Sequence, residues 1–286
     1  MTSRTATRLI GALAVPALGL GLVACSSEEP AKETTGGNDG NQAATQLSPQ
    51  EAVAAAYQGL DEDSYKMDSS VTVDGLDFMV MTTEVEGENA RAVMDMSMSA
   101  ILEASGEEID PSMAALFGDM HTETILVDGT AYFQFSGGMF DAMTEEYGAD
   151  AWFTMDMGAS DLAEIYEQIG SVDLASQTEL MLKSLENVEK TGDNTFTGTL
   201  SADSEAMKQF NEASGATAAE TEDIQVTVTL DENGLLESMV MALPETEGMT
   251  MEMTSTVVET GGDYDIAAPA SDNLHDFDSF LGGSGF

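Results

Sequence analysis

Between Val71 and Val258 the chain falls repeatedly into period-two alternation of apolar and polar residues. That pattern marks strands with one buried and one wet face. It predicts strands at Val71–Val73, Phe78–Val85, Arg91–Met98, Trp152–Met157 and Met249–Val258. Three more stretches read as hairpins: Thr122–Phe135 turning at Asp128-Gly129, Val188–Leu200 at Gly192-Asp193-Asn194, and Ile224–Leu243 at Asn233-Gly234. Those turn residues tolerate the positive φ that tight connections need. Helical signals lie elsewhere. Ser48-Pro49-Gln50-Glu51 combines an N-cap serine, proline at the first helical position and glutamate at the third, a capping box opening a helix that runs to about Leu60. Asp161–Ile169, Leu174–Leu185 and Asp203–Glu212, the last capped by Asp203 or Ser201, also suit helices. Within the ambiguous stretch Ile101–Met120, Pro111–Phe117 suits a short helix. Hairpins with helical insertions predict an α+β fold on an antiparallel sheet.

The apolar positions of five segments are methionines spaced by two. Met79 and Met81 form one stripe, and Met94, Met96 and Met98 a second. Met155 with Met157, Met239 with Met241, and Met249, Met251 and Met253 complete the set. Residues i, i+2 and i+4 of a strand share a face, so each segment offers a greasy side. The aromatic strand adds Phe133 and Phe135. Intervening positions are often polar, as with Asp95 and Ser97, or Thr250, Glu252 and Thr254. Two readings are open: a closed core under helices, or the wall of a ligand cavity. Methionine is unbranched and polarizable, specifies packing poorly and suits variable apolar partners, which favours the cavity. A lipid chamber would exceed about 1,000 Å³, beyond ordinary small-ligand pockets.

Upstream of the strands, Leu9–Leu22 is an apolar run preceded by Arg4 and Arg8 without an acid. It is too short to cross a bilayer as a helix. With Leu22-Val23-Ala24-Cys25 at its end, it reads as a secretory signal peptide ending in a bacterial lipobox. Residues 1–24 are therefore expected to be removed. Cys25, the sole cysteine, is expected to take a diacylglyceryl group, and acyl chains such as palmitate then anchor the protein to the outer face of the cell membrane, each buried methylene contributing about 0.8 kcal/mol. Residues 25–47 then form the lipidated cysteine and a flexible tether spanning roughly 25 Å. Residues 48–269 form one domain, and the polar, Gly-rich residues 270–286 a flexible tail.

Charge narrows the function classes. Eight Lys and Arg stand against 53 Asp and Glu, for a formal net charge of −45. Phosphate backbones and anionic headgroups are held by cations, so nucleic-acid binding and a polybasic membrane grip are excluded. A single cysteine allows no intramolecular disulfide and no thiolate metal cluster. The only histidines are His121 and His275, and neither pairs with a serine by sequence. With so many acids, a carboxylate pair for glycoside hydrolysis carries no information. Asp231-Glu232-Asn233-Gly234 and Asp272–Asp278 both miss the calcium-loop pattern and suit a tight turn and a solvated tail. No enzyme activity, cofactor or metal site is expected.

Several segments carry a likeness in their order and spacing. They are Leu126-Val127-Asp128-Gly129-Thr130-Ala131-Tyr132-Phe133, Trp152-Phe153 and Phe196-Thr197-Gly198-Thr199-Leu200. Thr229-Leu230-Asp231-Glu232-Asn233-Gly234-Leu235-Leu236 and Gly262-Asp263-Tyr264-Asp265-Ile266-Ala267-Ala268-Pro269 follow. With the lipobox and tether, the chain resembles the actinobacterial LppX/LprG lipoprotein family over Ser48–Pro269. The resemblance implies a LolA-like half-barrel, a strongly curved antiparallel sheet with helices across its concave face. It further implies a cavity binding lipid or glycolipid for transport through the cell envelope, with an envelope transporter as partner. Extreme acidity, methionine content and the Gly-rich tail depart from the pattern. The other function class is a structural or regulatory envelope lipoprotein with a closed core, acting through a protein partner.

Overall fold

Ser48 opens the first helix as its sequence predicts. Its Oγ accepts from the Glu51 amide at 3.3 Å, and Glu51 Oε2 accepts from the Ser48 amide at 2.8 Å, so both halves of the capping box form. The computed structural model describes residues 47–60, 64–105, 118–158, 174–214, 222–246 and 248–277. Cys25, the leader, nearly all of the tether and the helices expected at 111–117 and 161–169 lie outside those residues. Helix α1 (Pro49–Ala55) continues into one 3₁₀ turn, Ala56–Gly59. The other described α-helices are α2 (Met98–Ser105), α3 (Asp141–Tyr147), α4 (Leu174–Ser184) and α5 (Glu205–Ser214), with a second 3₁₀ turn at Gly138–Phe140. Ser204, not Asp203 or Ser201, caps α5: its Oγ accepts from the Met207 amide at 3.2 Å.

Among the described residues, twelve strands make one open sheet. In chain order they are β1 (Ser64–Val73), β2 (Leu76–Glu86), β3 (Asn89–Met96), β4 (Met120–Val127), β5 (Thr130–Ser136) and β6 (Trp152–Asp156). The second half supplies β7 (Leu185–Lys190), β8 (Thr195–Leu200), β9 (Ile224–Leu230), β10 (Leu236–Thr246), β11 (Met249–Thr260) and β12 (Leu274–Asp276). The spatial order is β12-β6-β5-β4-β3-β2-β1-β11-β10-β9-β8-β7. Each half is thus a meander, and β1 pairs with β11 to join them at the centre. The fold is a curved α+β sheet with helices on one face, as expected.

Three expectations change in detail. The sheet is mixed rather than purely antiparallel, because β12 runs parallel to β6. β12 also falls within the stretch expected as a free tail: Leu274–Asp276 pairs with Trp152–Thr154 through backbone bonds that need no hydrophobic periodicity in the sequence. Finally, the β9–β10 connection is a longer loop, Asp231–Leu235, rather than a two-residue Asn-Gly turn. Asp231 organises it, with its Oδ1 accepting from the amides of Asn233 and Leu235 at 2.8 Å each. The tight turns lie instead at Asp74-Gly75 and Asp128-Gly129, where both residues hold positive φ as a type I′ hairpin turn requires (49° and 80°, 51° and 75°).

Candidate functional site

Strand register decides which stripes share a face. One row of cross-strand partners runs Met96–Met79–Val71–Met253–Met241 across β3, β2, β1, β11 and β10. The next row runs Phe135–Thr122–Met94–Met81–Ser69–Ser255–Met239 from β5 to β10. A third joins Phe153–Phe133–Thr124–Ala92–Thr83–Met67. The stripes therefore merge into one continuous surface. Met249 and Met251 extend it along β11, and Met155 along β6 beside Ala131.

Two of the expected residues sit off the strands. Met98 is the first residue of α2; β3 ends at Met96, and the Ser97 amide makes one last bond in the same register, donating to the Phe78 carbonyl at 2.7 Å. Met157 lies just beyond β6, its amide donating to the Gly129 carbonyl at 3.0 Å. Both still pack against the apolar clusters of the face. Sequence reasoning missed Met67 and Tyr65 on β1, where Lys66, Asp68 and Ser70 alternate with them, so the period-two signal was present. It also missed Phe78, the extra residue of a bulge at Val71/Thr72 that lets Phe78 and Met79 both be buried.

Burial divides the face into two parts. At the β1 and β7–β11 end, Val53, Ala56 and Leu60 from α1 and its 3₁₀ turn, Leu182 of α4 and Met207 of α5 cover it. Met79, Met239 and Met241 are buried there, at 1, 5 and 2% exposure, with Met253 at 9%. Hydroxyls within it satisfy each other, as the Ser69 and Ser255 Oγ atoms lie 3.2 Å apart. Met94, Met96, Met98, Met249 and Met251 pack against this core but are only half-buried. At the other end Phe133, Phe153, Met155, Leu126 and Ala131 form a second cluster, with Phe135, Tyr147, Met157 and Phe277 half-buried around it. Its rings stack and tilt on one another: Phe135 lies 4.9 Å from Phe140 and 6.2 Å from both Phe133 and Phe153.

At the rim of β2–β4 a cleft of about 320 Å³ opens, floored by Met79, Met96 and Met120 and edged by Asp95, Asp119 and His121. His121 Nδ1 lies 2.8 Å from Asp95 Oδ1 on the polar face, while Ser97 donates instead to Asp119 at 2.9 Å, so no Ser-His pair forms there. His275 Nε2 lies 2.8 Å from Asn273 Oδ1. Among the described residues no cluster of three or more His, Cys, Asp or Glu is placed to hold a metal ion, and no helix is long and apolar enough to cross a membrane.

The geometry defines a class, an open α+β sheet whose helix-covered face is apolar and rich in methionine. Among solved structures the chain is similar to the lipoprotein LppX of Mycobacterium tuberculosis, at 11% identity and a TM-score of 0.41, covering 77% of this chain and 98% of that one. It is also similar to a LolA superfamily protein of Nitrosomonas europaea, at 7% identity and a TM-score of 0.24, covering 78% of this chain and 98% of that one. At these values the likeness transfers no residue and no ligand. No known family's sequence pattern matches the chain. No curated protein sequence matches it significantly.

Proposed function

We propose that this chain is a membrane-anchored extracytoplasmic lipoprotein that binds lipid or glycolipid chains on its concave face and carries them through the envelope without catalysis. The carrying observation is the register that merges methionine and phenylalanine stripes from β2, β3, β5, β6, β10 and β11 into one surface. Its half-buried members, Met94, Met96, Met98, Met249, Met251, Met157 and Phe135, are the adaptable contacts for acyl chains. Met79, Met81, Met155, Met239, Met241, Met253 and Phe133 form the floor beneath them. Burial of apolar area at about 25 cal/mol per Å² supplies the affinity. Cys25, modified by diacylglycerol, holds this surface beside a lipid reservoir, and an envelope transporter is the protein that loads or unloads it.

The test is to export the chain from residue 26 onward, purify it without detergent and extract it for lipid mass spectrometry. Stoichiometric co-purifying lipid supports the carrier. A clean extract together with no uptake of fatty acid removes it. The tight burial of Met79, Met239 and Met241 favours a second reading, a closed-core envelope lipoprotein acting through a protein partner. That clean extract would select it.

A further inference from the structure

Just beyond β11, Tyr264 bonds Glu86 of β2, and by Ser271 the chain has reached Asp150 beside β6. The Tyr264 amide donates to Glu86 at 3.3 Å and its hydroxyl to the Glu259 carbonyl at 3.5 Å. Asn273 then fastens the segment beside β6. Its Nδ2 donates to the Tyr147 carbonyl at 2.9 Å and to Asp150 Oδ1 at 3.1 Å, and its carbonyl accepts from the Trp152 amide at 2.9 Å. Of the described residues after Asn273, Leu274–Asp276 pairs with β6. Immediately afterwards Phe277 turns onto the apolar face, its ring centroid 5.2 Å from Phe133, 6.4 Å from Phe153 and 6.5 Å from Phe135.

We propose that Leu274–Phe277 is a displaceable hook whose Phe277 ring occupies the aromatic bay of Phe133, Phe135 and Phe153, and that an acyl chain entering the bay takes its place. The inference rests on the lipid-carrier reading. A ring and a chain that use the same aromatic surface exclude each other, so ligand affinity falls with the fraction of molecules in which the hook is closed. The closing contact is peripheral. The three-residue pairing lies at a sheet edge and is supplemented by the His275 ring, 4.9 Å from Tyr147 and 5.9 Å from Phe153, and by the Thr154 hydroxyl donating to the His275 carbonyl at 3.2 Å, while Leu274 is 45% exposed and Asp276 is exposed. Such segments open locally without global unfolding. Asn273 sets the limit of the motion through its bonds to Tyr147, Asp150 and Trp152, although its Oδ1 also meets His275 Nε2 of the hook at 2.8 Å.

The experiment uses the chain from residue 26 onward, which retains every described residue, and parinaric acid, a fluorescent fatty acid without a bulky label. Wild type, Phe277→Ala and Phe277→Leu are titrated, with circular dichroism and melting curves confirming the fold. Phe277→Ala should bind about threefold tighter or more, and Phe277→Leu should stay near wild type because it refills the bay. Hydrogen exchange supplies the second readout: amides of residues 275–277 should exchange well ahead of β5, and faster still with fatty acid bound. Unchanged or weaker binding by a folded Phe277→Ala, or exchange at 275–277 as slow as in β5, overturns the hook and leaves the carrier reading standing. Failure of every form to take up fatty acid overturns the carrier reading, and the hook's role with it.

Discussion

Lys66 donates to Glu84 at 2.8 Å across β1 and β2, on the face opposite the methionines. Arg91 on β3 approaches the same Glu84 at 3.9 Å and donates to Glu123 on β4 at 2.7 Å. The result is a chain of alternating charge over four strands, in a protein with few cations. Glu84 first, then Asp68, holds the Lys66 ammonium above the ordinary lysine range. A raised folded value means that this contribution is complete below the unfolded lysine value and disappears only as pH climbs through the folded one. It should therefore be flat across neutral pH and fade above about pH 10. Arg91→Met should lower stability by roughly 0.5–1 kcal/mol, leaving Glu84 and Glu123 without their shared cation. Chemical denaturation at low and high salt checks it, and the loss should shrink as salt screens the charges.

Met79 and Met96 are cross-strand partners on the apolar face, but only Met79 is sealed. Met79→Ala should cost about 2–4 kcal/mol in stability through the cavity it leaves. Met96→Ala should cost about 1 kcal/mol or less, because a half-buried side chain gives up less area. Its larger effect should be weaker fatty-acid uptake. Melting curves and titration on the same two variants separate floor from contact, and equal behaviour in both assays would refute the division.

Thr83 is 3% exposed on the same face, and its Oγ1 is the buried side-chain oxygen that finds no hydrogen-bond partner among the described residues. An unsatisfied hydroxyl is a standing cost, so Thr83→Val, of nearly equal shape, should be neutral or stabilising by up to about 1 kcal/mol. A destabilised variant in urea titration would mean that the hydroxyl does work in solution.

Gly137 holds φ at 78°, and a Cβ built on it would lie 2.1 Å from the Asp119 carbonyl oxygen. Gly137→Ala should therefore force β5 and the start of β4 apart, costing about 2 kcal/mol or more. Thermal unfolding gives the number, and a shift of the Phe135 and Phe140 packing should accompany it.

Asp231 binds the loop amides only as a carboxylate. The Leu235 amide foremost, then Asn233, lowers its pKa. A lowered folded value gives stabilisation that is present above the unfolded aspartate value of about 3.9 and lost as pH falls through the folded one. Asp231→Asn should cost roughly 1 kcal/mol at neutral pH. Its difference from wild type should narrow as pH falls below the ordinary aspartate range in acid titrations of stability.

Local patterns reported themselves well, and long-range choices did not. The capping box at Ser48 and Glu51, the Asp128-Gly129 turn and the β9 strand depend on neighbours in sequence, and they form where the residues predict. The boundary between β3 and α2 was missed because Met98 continues the alternation of Met94 and Met96. The strand nevertheless ends at Met96, and Met98 opens α2. The shared face of the methionines was legible strand by strand, whereas its continuity depends on register. β12 left no signal, since backbone pairing with β6 requires no pattern, and Phe277 sits alone among polar residues.

The pairing of β1 with β11 has a consequence in time. Two meanders can form early from contacts close in sequence, but the seam between Val71 and Met253 joins strands from nearly opposite ends of the described chain. Non-local closure of that kind slows folding. A chain emerging N-terminus first cannot complete its apolar face until Met249–Thr260 has appeared. Until then β1 is an unpaired edge carrying Tyr65, Met67 and Val71, and the interval before the last long strand arrives is when this protein is most exposed to wrong partners.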